Sequence, residues 1–398
     1  MAEVQTAWTA QEAAEVIRAA AAAGEALELV GQGTKRGFGR PVAADTVLDL
    51  SGLAGIVRYE PEELVLTLKP GTPMAEVDAL LAEGGQMLAF EPPDLGPLFG
   101  QPTGQGTIGG AILCGRGGPR RLSAGAPRDH CLGVKAVNGL GDAYAGGGRV
   151  VKNVTGFDLP KLIAGSFGTL GAVTELTVKV LPAPETSVTL RLEGLSVEAA
   201  VTAMAEAMGT PAQVSAAAFL PAELSAGASQ TLLRLEGFGP SVAARAAHLR
   251  ATLAGQPFAA DLGPEETRAV WKTVADAAPF ANAGAVLWRL SVPPSHGPLG
   301  ARLAARLGGR YLLDWAGGGI WLELPPAPDA HAGVVRSALH AAVGHDGHAT
   351  LVRAPEGARA AVDPFDGAGS PLETLTARVK AQFDPGGVLN PGRMYAGA

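Results

Sequence analysis

The chain has 398 residues and a formal net charge of −7, which is long enough for two domains that each bury a core. The acidic balance and the lack of a long basic stripe exclude an ordinary nucleic-acid-binding protein, because few side chains could neutralise phosphates. No window reaches the ~18 apolar residues of a membrane span. Because residues 1–5 lack the pattern of a signal peptide, we expect a cytoplasmic protein, attached to a membrane only peripherally through partners.

The two cysteines, Cys114 and Cys131, are too few for an iron–sulfur cluster or a four-ligand zinc site. In a cytoplasmic setting a disulfide is not expected. We therefore predict two buried, reduced thiols.

The first ninety residues alternate between helical and strand patterns, which is typical of an α/β or α+β domain. Thr9 and Glu12 form a capping-box pattern, and Gly24 is placed to end the helix that follows. Strands are predicted over 27–30, 46–50 and 64–68. Thr72 is predicted to cap a second helix with Pro73 in its first position.

A glycine loop follows the predicted strand 27–30. Its Gly31-Gln32-Gly33 start resembles a dinucleotide fingerprint, but Arg36 stands where the third glycine is expected, and Gly39-Arg40-Pro41 prevents a helix. The loop therefore either holds a phosphate with backbone N–H groups, helped by Lys35, or is a simple turn.

Residues 91–180 contain several glycine clusters interleaved with Arg and Asp. Glycine this dense is not expected inside a packed helix or a long strand, but it lets main chain approach a flat or charged group closely. Any one cluster alone is more typical of a surface turn, whereas the set indicates a large anionic cofactor.

The region 183–355 repeats the order strand-helix-strand-strand-helix, which is that of a ferredoxin-like unit. The first copy is predicted over 187–192, 197–208, 214–220, 231–235 and 242–253. The second is predicted over 286–292, 299–307, 311–315, 320–324 and 334–343, with a final strand over 349–352. A capping box at Ser370-Pro371-Leu372-Glu373 then opens a last helix, whose apolar stripe is Leu372, Leu375, Val379 and Phe383.

Together, in this order, several motifs resemble the vanillyl-alcohol oxidase/p-cresol methylhydroxylase superfamily, and within it the E subunits of bacterial glycolate oxidases. These motifs are Leu48-Asp49-Leu50-Ser51, the run from Gly85 to Pro93, Gly118-Pro119-Arg120-Arg121, Lys152-Asn153-Val154, Gly168-Thr169-Leu170-Gly171, and the tail segments 383–386 and 390–394.

The resemblance implies an α+β fold: a two-part FAD-binding domain (1–182 and a return at 356–398) and an α/β cap domain (183–355) with ferredoxin-like units. It implies that Gly31 to Gly37 wraps the pyrophosphate of a non-covalent FAD. The implied FAD-contacting residues are Gly31, Gln32, Gly33, Thr34, Lys35, Pro92, Thr107, Gly109, Gly110, Gly125, Arg128, Asp129, Gly168, Gly171, Val173, Asn390 and Arg393.

Two departures from the family pattern bear on the chemistry, and two further positions bear on how the flavin is held. Asp94 stands where relatives commonly carry histidine, and the stretch 95–106 is longer than expected, so a different lip over the flavin is predicted. Thr34 stands where many covalent relatives carry the flavin-linked histidine, and the position of Cys114 does not match the cysteinyl linkage.

Oxidising a 2-hydroxy acid on a flavin needs a base, a cation for the carboxylate and a hydride acceptor. Arg289 and Arg353 either bind a carboxylate or form buried ion pairs. His345 and His348 either bind a metal or belong to a surface loop and a strand start, and no metal site is predicted. No residue is assigned as the catalytic base.

The resemblance implies an FAD subunit of a glycolate oxidase complex, with a catalytic D-type FAD subunit and an iron–sulfur subunit as partners. Two alternatives stay open: a stand-alone FAD-dependent D-2-hydroxy-acid dehydrogenase, and a non-catalytic scaffold with a flavin fold. Bleaching of the flavin by substrate distinguishes the stand-alone enzyme from the other two. Retention of FAD distinguishes the complex subunit from the scaffold.

Overall fold

The computed structural model describes residues 3–150, 156–225, 227–281, 284–366 and 371–396. The predicted Lys152-Asn153-Val154 motif and the cap residue Ser370 lie outside these ranges. The α-helices are α1 (Ala10–Ala23), α2 (Met74–Glu83), α3 (Ile108–Cys114), α4 (Arg121–Ala124), α5 (Pro127–His130), α6 (Leu159–Ile163), α7 (Val197–Met208), α8 (Gly239–Thr252), α9 (Pro264–Ala275), α10 (Leu299–Leu307), α11 (Ala332–Val343), α12 (Glu356–Ala361) and α13 (Pro371–Phe383).

The strands begin with β1 (Glu3–Thr6), β2 (Leu27–Val30), β3 (Thr46–Asp49), β4 (Ile56–Glu60), β5 (Val65–Leu68), β6 (Gln86–Met87), β7 (Cys131–Val137), β8 (Ala143–Gly147), β9 (Ala172–Lys179) and β10 (Leu181–Pro182). They continue with β11 (Thr186–Glu193), β12 (Ala216–Leu220), β13 (Gln230–Gly237), β14 (Val286–Ser291), β15 (Arg310–Asp314), β16 (Gly319–Leu324) and β17 (His348–Arg353). Within the described ranges, no helix is long and apolar enough to cross a membrane.

The chain divides into two compact units. Unit 1 comprises 1–117, 125–183 and 367–398, and unit 2 comprises 118–124 and 184–366. Two segments differ from the predicted division. Residues 118–124 join unit 2 because Trp315 Nε1 donates to the Gly118 carbonyl (3.1 Å) and Arg120 forms a two-fold ion pair with Glu236 (2.8 and 3.0 Å). Residues 356–366 join it because the Leu351 N–H donates to the Pro364 carbonyl (2.8 Å).

Unit 1 is built from two main sheets. A parallel sheet has the order β1-β3-β2, and an antiparallel sheet has the order β4-β5-β9-β7-β8. Helix α1 begins at the predicted capping box, since Thr9 Oγ1 accepts from Glu12 N (3.1 Å) and Glu12 accepts from Thr9 N (3.2 Å). It ends at Gly24, whose φ of 69° is left-handed, so both predicted ends are confirmed.

The glycine-dense stretch contains a helix and a long strand, contrary to the prediction. Thr107 caps α3, which includes Gly109 and Gly110, and β9 runs for eight residues. A Cβ at Gly109 would lie 2.7 Å from the Pro70 carbonyl oxygen. Glycine is therefore required here for close packing of α3 against backbone, a reason that composition alone does not reveal.

The start of α2 also differs from the prediction. Pro73 is the N-cap rather than the first helical residue, and it provides no side-chain cap. The Thr72 hydroxyl instead accepts from Gly55 N (2.9 Å) and donates to the Lys69 carbonyl (2.7 Å). Thr72 therefore ties two loops together and leaves the helix uncapped by a side chain.

The predicted apolar stripe of the last helix is only half buried. Val379 and Phe383 pack against the core of unit 1, whereas Leu372 and Leu375 are 67% and 57% exposed. The helical period is correct, but only the C-terminal half of the stripe is buried.

Unit 2 is a seven-stranded sheet with the order β11-β13-β12-β15-β16-β14-β17, and every pairing in it is antiparallel. The order β15-β16-β14-β17, with helices after β14 and β16, is a complete ferredoxin-like unit. The first copy, β11-β13-β12, lacks a regular fourth strand. Its place is taken by the irregular segment 257–262, which forms backbone hydrogen bonds with Thr189 and Arg191 of β11. The prediction of two such units is confirmed.

Helix α9 follows that segment and was not predicted. Glu266 closes its first turn by accepting from Gly263 N (3.0 Å), and Trp271 donates from Nε1 to Thr189 Oγ1 on β11 (2.8 Å). Helix α9 thus packs against β11, on the side of the first copy that lacks a regular fourth strand.

Candidate cofactor-binding site

A cavity of about 850 Å³, a volume that includes the solvent-filled space at its open mouth, lies within unit 1. Of the predicted site residues, thirteen line it: Gly31, Gln32, Gly33, Thr34, Lys35, Thr107, Gly109, Gly110, Gly168, Gly171, Val173, Asn390 and Arg393.

One wall is the loop that follows β2. No helix follows this loop, as the sequence predicted. Its turns are closed by backbone hydrogen bonds from Arg36 N to the Gly33 carbonyl (3.2 Å) and from Phe38 N to the Lys35 carbonyl (3.0 Å). Gly33 has a φ of 70°, which glycine adopts without strain. The loop therefore presents main chain to the cavity, as a backbone anion site requires.

The opposite wall is the start of α3, where glycines keep the gap between the walls open. A Cβ at Gly31 would lie 3.0 Å from Thr107 Oγ1, and a Cβ at Gly110 would lie 3.4 Å from both Lys35 Nζ and Thr107 Oγ1. Side chains at Gly31 or Gly110 would therefore occupy the space between the loop and α3. In this gap main chain could approach a ligand closely.

The charges at this wall are arranged around a buried carboxylate. Glu28 is 6% exposed and accepts from Arg36 through both guanidinium nitrogens that face it. This hydrogen bond raises the pKa of Arg36. Arg393 Nη1 lies 3.7 Å from the same carboxylate. Lys35 also lines the cavity, so its wall carries three cations and one carboxylate, an excess of positive charge that suits an anionic ligand.

Two strained residues meet at the adjoining wall. Phe167 and Asn390 have φ values of 54° and 44°, a region that non-glycine residues rarely adopt. Asn390 Nδ2 donates to the Phe167 carbonyl (2.8 Å), and Asn390 Oδ1 accepts from Leu29 N (2.8 Å). Such strain persists where the surroundings fix it and is common at binding sites.

Four predicted residues, Pro92, Gly125, Arg128 and Asp129, do not line this cavity. Arg128 and Asp129 are exposed, and Asp129 closes its own short helix by accepting from Ala126 N (2.8 Å). Their contact with a cofactor stays a prediction.

The segment 95–106 packs against the glycine loop. Asp94 accepts from Gly96 N (3.2 Å) and Gly104 N (2.7 Å), and Phe99 stacks on Phe38 with ring centroids 6.3 Å apart. Asp94 therefore organises this segment, since a carboxylate accepts two N–H bonds at once.

Several residues that were not predicted also line the cavity, among them Glu28, Leu50, Pro70 and Phe167. For Glu28 a signal existed, because one acidic residue interrupts the apolar strand Leu27–Val30. For the others the sequence carried none, because apolar residues in a cavity wall look like core residues.

The two arginines singled out in unit 2 have structural partners. Arg353 donates to the carbonyls of Phe280 (2.7 Å) and Ala285 (2.9 Å) and pairs with Glu323 (3.3 Å). Arg289 is 4% exposed, lies 3.6 Å from Asp314 and sits over the ring of Trp315, 4.1 Å from its centroid. The ion-pair alternative is therefore the one that the geometry supports.

The histidines fit the loop-and-strand alternative. His348 is the first residue of β17, and the His345 ring packs against that of His340 with centroids 5.3 Å apart. In the part of the chain that the structure describes, no group of three or more His, Cys, Asp or Glu side chains is placed to hold a metal ion.

Both cysteines are buried and free, as predicted. Burial raises the pKa of Cys131 to about 12 and also raises the pKa of Cys114. Because the thiolate is the reactive form, we expect both thiols of the native chain to react with a disulfide reagent at pH 8 at least about 100-fold more slowly than in urea. Fast native labelling of either cysteine, located by mass spectrometry, would contradict the burial.

Comparisons with known proteins agree with this geometry. A family model described as "FAD binding domain" matches residues 2–145. Glycolate oxidase subunit GlcE of Escherichia coli is 36% identical over 371 residues, which cover 93% of each chain. Glycolate oxidase subunit GlcD of Bacillus subtilis is 35% identical over 50% of this chain and 39% of its own length.

Solved structures confirm the predicted fold class. p-Cresol methylhydroxylase aligns with a TM-score of 0.72 over 98% of this chain and 88% of its own, at 14% identity. 4-Ethylphenol oxidase from Gulosibacter chungangensis aligns with a TM-score of 0.73 over the same shares, also at 14% identity. At such identities the likeness shows the fold alone, and the near full-length match to GlcE shows the family. The chain therefore belongs to the family of FAD-binding oxidoreductases that contains glycolate oxidase subunit GlcE.

Proposed function

We propose that this chain is the second FAD-binding subunit of a glycolate oxidase complex, which oxidises glycolate to glyoxylate and passes electrons to an iron–sulfur partner. The observation that carries the proposal is the 36% identity with GlcE across 93% of both chains. Matches to D-lactate dehydrogenases extend over much smaller shares, such as 37% of this chain for the Anaerostipes hadrus enzyme.

The cavity of unit 1 is the proposed FAD site. FAD supplies a hydride acceptor when it is bound. The chain's part is to hold it: main chain from Gly31 to Lys35 and at Gly110 approaches it closely, and the cations around Glu28 offset its diphosphate charge. Unit 2 is proposed as the cap domain.

The proposal includes partner chains because the sequence offers no site for onward electron transfer. Two cysteines cannot hold an iron–sulfur cluster, and the glycine loop is not followed by the helix of a nicotinamide site. We propose a D-type flavoprotein and a cysteine-rich iron–sulfur protein as partners, with the complex in the cytoplasm or peripherally on the inner face of the membrane.

FAD is expected to be bound non-covalently. Thr34 is buried in the glycine loop and offers no histidine for a flavin bond, and burial raises the pKa of the Cys114 thiol, which disfavours its reactive thiolate form. Acid precipitation should leave a colourless pellet with free FAD in the supernatant. A yellow pellet would show a covalent flavin and refute this expectation.

The isolated chain, loaded with FAD, should show negligible dye reduction with glycolate or D-lactate. Activity should appear when the D-type and iron–sulfur partners are added, and a tag on this chain should co-purify both. Turnover by the chain alone at about 1 s⁻¹ or more, which is typical of a competent enzyme, would replace the subunit proposal with the stand-alone dehydrogenase.

A further inference from the structure

Asn390 and Arg393, near the end of the described chain, line the cavity, although Asn390 is 361 positions away in sequence from Leu29, to which it bonds. We call the turn 390–393 the tail turn. It is anchored beneath by Asp384, which is 2% exposed and accepts from Val388 N (2.9 Å) and Leu389 N (2.8 Å). The tail turn therefore sits on a fixed base.

Its first residue, Asn390, connects three separate segments. The Asn390 N–H donates to the Leu27 carbonyl (2.9 Å), and the side chain bonds to Leu29 N and to the Phe167 carbonyl. A Cβ at Gly168 would lie 2.7 Å from Asn390 Nδ2, so the loop after Phe167 has no spare room. Asn390 thus sets the spacing between β2 and that loop.

Its last residue, Arg393, holds the glycine loop. Arg393 Nη2 donates to the Lys35 carbonyl (2.9 Å), and the Arg393 carbonyl accepts from Arg40 N (2.9 Å). A Cβ at Gly39 would lie 2.8 Å from the Arg393 carbonyl oxygen. Both ends of the segment Lys35–Arg40 are therefore fixed by one residue of the tail.

Arg393 also offsets the charge of Glu28, which an anionic ligand in the cavity would otherwise meet. Arg393 is 8% exposed, so its attraction to Glu28 at 3.7 Å is weakly screened. Arg36, on the glycine loop, pairs with the same carboxylate. The residue therefore acts on both the shape and the charge of the site.

We propose that Asn390 and Arg393 are positioning residues for the cofactor, and that docking of the tail turn and binding of FAD are thermodynamically coupled. The inference rests on the proposed location of FAD in this cavity. Coupling is reciprocal: if the docked tail tightens FAD binding by some factor, FAD stabilises the docked tail by the same factor.

Hydrogen exchange of the wild-type chain tests the coupling without any substitution. FAD is expected to slow exchange of the Leu29, Arg40, Asn390 and Arg393 amides by about tenfold or more, a typical size for coupling between sites. The Leu262 amide of unit 2, bonded to Thr189, serves as the control and should not change. Unchanged exchange of the tail amides in a chain that binds FAD would refute the coupling.

The reciprocal test measures FAD affinity by flavin fluorescence. Arg393→Met is expected to raise the Kd for FAD about tenfold or more. Arg393→Lys keeps the charge but loses the planar guanidinium with its several donors, so its Kd should lie between those of Arg393→Met and wild type. Arg378→Met removes the same charge from an exposed position of α13 and should leave the Kd unchanged.

The outcomes separate the two proposals. A wild-type chain that takes up no FAD refutes the proposed function, whereas a wild-type Kd in Arg393→Met, with FAD bound, refutes this inference alone. If Arg393→Met does not fold, Arg393→Lys and the wild-type exchange measurement still decide the question.

Discussion

Gly110→Val should raise the Kd for FAD by at least about 100-fold, equivalent to about 2.8 kcal/mol at 1.4 kcal/mol per tenfold. The valine Cβ would lie 3.4 Å from Lys35 Nζ and Thr107 Oγ1, and its methyl groups would fill the gap that main chain leaves open. Lys35→Ala should cost no more than about tenfold, since a partly exposed charge contributes about 1 kcal/mol or less. Flavin fluorescence titration gives both values.

Gly333→Val is the matched control. Gly333 is also helical, but it is exposed and a Cβ there would meet no atom within 4 Å, so FAD affinity should not change. Gly109→Val is a poor probe because its Cβ would strike Pro70 and disturb the fold. If Lys35→Ala removed the cofactor and Gly110→Val did not, the site would depend on charge and the backbone account would be wrong.

Lys380→Met should lower the free energy of unfolding by about 3–5 kcal/mol, the usual cost of breaking a buried ion pair. Lys380 Nζ donates to the carbonyls of Thr169 (2.8 Å) and Leu389 (2.8 Å) and to the buried Asp384. Burial lowers the pKa of Lys380, and Asp384 opposes that effect. Urea denaturation of the FAD-free chain measures the loss.

Lys272→Met provides the comparison. Lys272 and Asp276 are also a Lys–Asp pair four residues apart on a helix, but the lysine side chain is 68% exposed, so removal should cost less than about 1 kcal/mol. An equal decrease in the free energy of unfolding for the two variants would mean that burial does not determine how much the Lys380–Asp384 pair contributes to stability.

Much of the cavity lining was predictable because its glycines lie in the clusters that the sequence shows. Gly31, Gly33, Gly110 and Gly168 line the cavity where the motifs placed them. The repeated order of strands and helices likewise predicted the unit 2 sheet, since local periodicity reports secondary structure and the helix crossovers fix the strand order.

Other features depend on contacts between distant segments, which local patterns do not encode. Glu28 on β2 pairs with Arg36 of the glycine loop and with Arg393 of the tail turn. Residues 118–124 belong to unit 2 because their hydrogen bonds and ion pairs join them to that unit. Helix α3 was not predicted, because glycine density alone does not show that Gly109 is needed for packing against Pro70.

The absorption spectrum of the purified chain, before and after anaerobic glycolate, tests the central claim most directly. We expect flavin bands that correspond to about one FAD per chain, unchanged by glycolate alone and bleached once the D-type subunit is present. A chain purified gently without flavin would contradict the FAD site in unit 1, and bleaching by glycolate without any partner would contradict the subunit assignment.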